Sequence, residues 1–220
     1  MSAKIKIALA DDEILIREGI KNILAQEDDF EVLFDVSNGK ELIFHLESNP
    51  DNLPDIILMD INMPEYNGVE ATKYISNKFT EIDIIALSSY TSESFMKKML
   101  SVGAVCYIPK SITPAEMIHR IKMVYQNGFC YEEFMLSFIK NKYDDKSSIL
   151  NSEITERELE ILKFICLQKS SAEIAEILSI SPRTVDGHRN NLLSKTESKN
   201  IVGLVVYAIQ NRLFVPGIEN

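Results

Sequence analysis

The sequence has 220 residues, 45% of them hydrophobic and 25% charged, which is enough chain for one large domain or two ordinary ones with separate cores. A formal charge of −10 excludes a nonspecific nucleic-acid or membrane coat, because such a surface needs a field of lysine and arginine. Cys106, Cys130 and Cys166 stand far apart with no C-x-x-C spacing, so neither a disulfide framework nor a zinc site is expected, and no apolar run suggests a membrane span.

The start, "MSAKIKIALADDE", turns acidic before an apolar stretch of signal-peptide length develops, so a cytoplasmic chain with reduced thiols is expected. From Lys4 to about Gln126, short apolar runs alternate with helical periodicity, the mark of βα units around a parallel sheet. The runs "IKIALA", "FEVLFDV", "DIILMD", "DIIALSS" and "AVCYIP" predict five strands of a doubly wound α/β domain. Behind the first strand, Ile16, Ile20, Ile23 and Leu24 are spaced to form one buried helical stripe. Behind the fifth, Thr113, Pro114 and Glu116 open a helix as a capping box, with Met117, Ile118, Ile121, Val124 and Tyr125 as its buried side.

Beyond Asn127 the strands stop. "EEFMLSFIKNKY" reads as a short helix, and the polar residues near 143–152 read as a linker. Thr155 with Glu158 and Ser170 with Glu173 then form capping boxes, and Ser181 with Pro182 starts a third helix. Ile201, Leu204, Val205, Ala208 and Ile209 give a fourth, within Asn200 to Arg212. The expected division is therefore a first domain over 1–126, a connection over 127–152 and an all-α four-helix module over 153–220. Most of the acidity precedes that module: residues 1–152 carry 15 Lys and Arg against 24 Asp and Glu, and residues 153–220 carry 8 against 9.

In an open α/β sheet, ligands gather beyond the carboxyl ends of the strands. Polar residues end these strands one after another: Asp11 and Asp12 after the first, Asp60 after the third, Ser88 after the fourth and Lys110 just past the fifth. Three carboxylates in one pocket repel unless a cation joins them, and hard oxygen ligands that leave room for water suit Mg²⁺. A carboxylate beside such a cation can attack a phosphoryl group, with lysine and metal neutralising the equatorial oxygens and Ser88 hydrogen-bonding one of them. A lone aspartate at a strand end is usually a helix cap, and a lone lysine is usually solvated. Five such residues at matching strand ends point instead to an aspartyl-phosphate site.

Asp11–Asp12, "LMDINMPEYNG" around Asp60, Ser88, Tyr107 and Lys110 together resemble the receiver domain of bacterial two-component response regulators, over about residues 4–126. The resemblance implies a flavodoxin-like fold in which Asp60 accepts phosphate from a sensor histidine kinase. It also implies that Asp12, Asp60 and the Asn62 backbone carbonyl hold Mg²⁺, with Asp11 meeting the metal mainly through water. Ser88 and Lys110 would bind the phosphoryl oxygens, and Tyr107 would change rotamer as the switch. Asn62 and Tyr90 would flank the pocket and govern access of water, and Ser89 is small enough to leave the phosphoryl group accessible. One departure stands out: many receivers follow this lysine with proline, whereas Lys110 precedes Ser111 and the proline is Pro109, so a different loop geometry is expected there.

Residues from Ile154 to about Ile209 resemble the LuxR-type, or NarL-type, helix-turn-helix. On that resemblance the helix near Ser171–Leu178 buries Ile174 and Leu178, "SIS" makes the turn, and Ser181–Lys195 is the recognition helix for the major groove of DNA. Val185 and Leu192 then face inward with part of His188. Asp186, Gly187 and Asn190 fall in an arc on the opposite side, at roughly 0°, 100° and 40° for helical steps of 100°, and face the base edges. Arg183, Thr184, Arg189 and Lys195 lie nearer the borders and suit phosphate contacts. Members of the family often carry lysine where Asp186 stands. The aspartate can accept from cytosine N4, orient Arg183 or Arg189, or remain a solvated, paired charge. Within Ser181–Asn200, Arg183, Arg189, Lys195 and Lys199 outnumber Asp186 and Glu197, a local charge of +2. So small an excess favours two copies on a palindromic site, with salt-dependent binding that is weak for one copy.

These features describe a DNA-binding transcriptional regulator rather than an enzyme, phosphorylated on Asp60, a homodimer once phosphorylated, and without a membrane partner. The alternative is an adaptor whose helical module binds protein, with Asp186 as its support. A phosphotransferase of the haloacid dehalogenase type would need aspartate where Asn62 stands, and no substrate-sized cap domain follows.

Overall fold

A computed structural model describes residues 4–89, 93–130, 154–211, 213 and 214. The chain divides into two compact units, Met1–Phe129 and Cys130–Asn220. The short helix expected within 132–143 and the linker near 143–152 lie outside the described residues.

In the first unit the strands are β1 (Ile5–Ala10), β2 (Phe30–Val36), β3 (Ile56–Asp60), β4 (Asp83–Ser88) and β5 (Cys106–Pro109). All pair in parallel, in the order β2-β1-β3-β4-β5. The helices are α1 (Ile14–Leu24), α2 (Gly39–Ser48), α3 (Gly68–Lys78), α4 (Glu93–Val102) and α5 (Pro114–Asn127). β3 is buried at every residue, as an apolar run in a central parallel strand covered on both faces must be. Strand order reverses about β1 and β3, which opens the crevice where doubly wound folds bind ligands. Register sets the strand ends level there: Ala10 faces Met59, Asp60 faces Leu87 and Ser88 faces Pro109.

The helices follow the sequence pattern with two corrections. On α1, Ile20 and Leu24 are buried and Ile16 and Ile23 half-buried, as one stripe requires. On α5, Thr113 accepts from the Glu116 N–H, but the Glu116 carboxylate accepts from Arg120 Nε at 3.1 Å, so only half of the capping box forms. Tyr125 of α5 is 45% exposed and Ile118 only half-buried. Both lie roughly 80–100° round the helix from Met117, at the edge of an arc that Met117, Ile121, Val124 and the Arg120 stem occupy.

The second unit has four helices among the described residues: α6 (Glu156–Cys166), α7 (Ser171–Leu178), α8 (Pro182–Lys195) and α9 (Ile201–Gln210). Both expected capping boxes are present in full, Thr155 with Glu158 and Ser170 with Glu173. α7 ends on Ser179 in the left-handed region (φ 53°), which turns the chain sharply into α8. α8 packs against α6, α7 and α9, with Val185 and Leu192 buried, as are Ile161 and Ile165 of α6, Ile174 of α7 and Leu204 of α9. Leu178 is half-buried rather than buried; Ala175, beside Ile174, takes the inner position on α7. No helix among the described residues is long and apolar enough to cross a membrane.

Candidate functional site

Three loops bring the strand-end residues of the first unit together. The segment after β3 folds back on itself, with the Gly68 N–H donating to the Ile61 carbonyl at 3.0 Å. A Cβ on Gly68 would fall 1.9 Å from the Asp60 carbonyl oxygen, so only glycine lets α3 begin this close to the strand end. The Lys110 N–H donates to the Ser88 carbonyl at 2.7 Å and ties the end of β5 to that of β4. No cis peptide bond is found among the described residues, so the Lys110–Ser111 link is trans.

Lys110 is aimed by carboxylates. Its Nζ lies 2.7 Å from Asp11 Oδ2, 2.9 Å from Glu13 Oε1 and 3.3 Å from Asp60 Oδ1, with the lysine side chain only 7% exposed. Burial works against the lysine charge, but the Asp11 and Glu13 carboxylates outweigh it and hold the ammonium above its ordinary pKa. Asp60 is buried, and burial pushes its carboxyl up to about 6; Lys110 pulls it down and Asp11 raises it. At neutral pH Asp60 is still mostly ionised, the form a nucleophile needs.

Asp11, Asp12 and Asp60 each offer a carboxylate oxygen, all within 4.8 Å of one another, with Asp11 and Asp60 buried and Asp12 exposed. The buried Asp11 Oδ2 has the Lys110 ion pair but no hydrogen bond of good geometry. Converging hard oxygens, one of them open to water, fit Mg²⁺. Asn62 follows Asp60 in the same loop and is exposed, as is Ser89 at the end of β4; Tyr90 lies outside the described residues. Tyr107 is 4% exposed and shares a hydrogen bond with the equally buried Ser88. Burial raises the Tyr107 phenol, the Ser88 bond lowers it, and Asp60 raises it further.

Two residues of this cluster escape sequence reasoning. Glu13 grips Lys110 from 97 residues away, and its only local signal is adjacency to Asp11–Asp12. Arg17, one turn into α1, donates to the Asp11 carbonyl and pairs with Asp35 at 2.9 Å, which fixes the loop that presents Asp11.

On α8, Arg183, Thr184, Asp186, Gly187 and Asn190 are exposed and His188 is half-buried. Arg189 and Lys195 turn to internal partners instead of solvent. Lys195 Nζ donates to Glu158 Oε2 at 2.7 Å, and Glu158 is itself buried in the α6 capping box. Arg189 Nη1 donates to Ser171 Oγ at 2.6 Å, and Ser171 Oγ donates to Asp186 Oδ1 at 2.6 Å. Ser171 and Glu158, both on other helices, are invisible to a reading of α8 alone.

Comparison with known proteins places both units. Residues 7–122 match the response regulator receiver domain family, and residues 152–208 match the luxR family of bacterial regulatory proteins. The chain is 34% identical to the transcriptional regulatory protein DegU of Brevibacillus brevis, over 94% of each chain. It is 32% identical to the response regulator protein VraR of Staphylococcus saprophyticus, over 95% of this chain and 98% of that one. Among solved structures, the RcsB response regulator of Salmonella typhimurium is similar in fold, with a TM-score of 0.55 at 21% identity over 94% of this chain and 98% of that one.

Proposed function

Because this chain belongs to the bacterial two-component response regulators, transcription factors with a receiver and a luxR-family DNA-binding domain, we propose that it switches DNA binding by phosphorylation of Asp60. The donor is a phosphohistidine of a sensor histidine kinase. An ionised Asp60 oxygen attacks phosphorus, the P–N bond breaks, the imidazole takes up a proton, and an acyl phosphate forms on Asp60. Asp11, Asp12, Asp60 and the Asn62 carbonyl would hold Mg²⁺, which when bound neutralises phosphoryl charge. Lys110 supplies a second positive charge and Ser88 a hydroxyl donor to the phosphoryl oxygens.

The carrying observation is Lys110 Nζ within 3.3 Å of carboxylates at the ends of β1 and β3, strands that meet only through the fold. A phosphoryl group that draws on Ser88 competes with Tyr107 for that side chain. Its preference for one Tyr107 rotamer is the differential interaction that shifts a population. The shifted form pairs two protomers in the cytoplasm, and their α8 helices enter successive major grooves of a palindromic site. Arg183 and Thr184 position the helix on phosphates, Asp186, Gly187 and Asn190 face the bases, and Arg189 and Lys195 reach phosphates only by leaving Ser171 and Glu158.

Incubation with acetyl phosphate and Mg²⁺ tests this reading. Wild type should gain the mass of one phosphoryl group, dimerise and be retained on selected duplexes, and Asp60→Asn should do none of these. Equal mass gain in both would move the acceptor elsewhere, and modification without a change in association would break the coupling.

A further inference from the structure

Gly187 is unexplained by the protein itself. It sits inside α8, where glycine is a poorer helix former than alanine. A Cβ there would meet no atom within 4 Å, whereas one on Gly39 or Gly68 would collide with backbone. Packing within the chain therefore does not call for glycine at this place. Gly19 in α1 is equally open, so open space by itself assigns no role; at Gly187, on the helix that faces DNA in the proposed function, it leaves room for a close approach from outside.

Asp186 is its neighbour on the exposed surface. The side chain is 58% exposed, yet its carboxylate is braced: Oδ1 accepts from Ser171 Oγ, and Arg189 Nη1 stands 3.9 Å away while donating to the same Ser171. A carboxylate has about four lone-pair sites, and Ser171 takes one, so acceptor capacity remains toward solvent. Bracing also removes rotamer freedom before any ligand arrives, and the Arg189 charge offsets part of the repulsion from phosphates. With one methylene, an aspartate reaches a partner only if the helix backbone comes near. The missing side chain at Gly187 is what permits that.

Accordingly, and resting on α8 as the helix that enters DNA, we propose that Asp186 and Gly187 form a close-approach cytosine reader, Asp186 accepting from N4 of one cytosine in each half of the bound site. Among major-groove edges, guanine and thymine present acceptors, and adenine sets its N7 acceptor beside N6. Cytosine N4 is the donor that a carboxylate meets without an acceptor on the same base. A role for Asp186 purely as a brace between α7 and α8 accounts for the Ser171 bond but leaves Gly187 without a reason.

The test is selection from randomised duplexes by the full chain treated with acetyl phosphate and Mg²⁺, as wild type, Asp186→Asn and Gly187→Ala. Wild type should enrich sites with a C·G pair fixed at one position per half, preferred over A·T about tenfold in competition. Asp186→Asn should lose that preference or move it to adenine, whose N6 and N7 suit an amide, and keep its other base preferences. Gly187→Ala should bind the wild-type site about tenfold more weakly while melting at a higher temperature. Unchanged base preferences in Asp186→Asn, accompanied only by a lower melting temperature, would reduce Asp186 to a brace and overturn the inference alone. A wild-type chain that enriches no sequence would overturn it together with the DNA-binding reading beneath it.

Discussion

Replacing Asp60 with asparagine should make the metal-free protein more stable at neutral pH, even though it removes the proposed phosphoacceptor. The carboxyl is raised from 3.8 to about 6, chiefly by burial, so the native state holds its proton more tightly than the unfolded chain. For an acid shifted upward, the native state binds the extra proton between the two values, so stability falls as pH rises through that window and the full penalty applies above it. About two pKa units correspond to about 3 kcal/mol, a sizeable part of the 5–15 kcal/mol that separates folded from unfolded chains. Urea denaturation in EDTA at several pH values reads this directly. Asp60→Asn should exceed wild type by up to about 3 kcal/mol at pH 7.5, and the gap should close toward pH 4. Saturating Mg²⁺ should then recover the wild type and do less for the variant, because a ligand that binds only the native state stabilises it. A gap that is absent, or that does not change with pH, would refute the claim that a buried, destabilised carboxylate waits at this strand end.

Gly68→Ala should cost about 3 kcal/mol in the same denaturation assay and slow phosphorylation, because the added Cβ meets the Asp60 carbonyl oxygen and the Ile61 backbone; a neutral result would mean that the loop after β3 is not pinned there. For DNA, Arg183→Ala should lower the slope of log affinity against log salt by about 1 per protomer, as loss of one phosphate contact requires. Lys195→Ala should change that slope little and instead cost about 1 kcal/mol of folding stability, since its ammonium serves the buried Glu158; anisotropy titrations across salt concentrations and thermal melts separate the two.

What the sequence makes legible here is local. Five strands, the capping boxes at Thr155 and Ser170 and the buried positions of Val185 and Leu192 follow from periods of 2 and 3.6 and from capping chemistry, all confined to a few neighbouring residues. The convergence of Asp11, Asp60 and Lys110 is also legible, because strand ends of a doubly wound sheet share one edge. What stays hidden is pairing across distance. Glu13 with Lys110, Lys195 with Glu158 and Arg189 with Ser171 join different elements, and no periodicity records which long side chain another will reach. The same gap explains Glu116, which a three-residue motif assigns to Thr113 but which Arg120 engages one turn further along.

The hydrogen bond between Tyr107 and Ser88 places the ring of one beside the hydroxyl that the proposed function assigns to phosphate. If claiming the serine for an acyl phosphate on Asp60 draws it away from the tyrosine, the free energy linking the two events is reciprocal. A protein surface that held the ring in the rotamer proposed for the phosphorylated state would then lower the work of modifying the aspartate. Under the proposed function, a dimer partner that gripped Tyr107 would become an effector of its own signal, able to lengthen the message it receives as well as obey it.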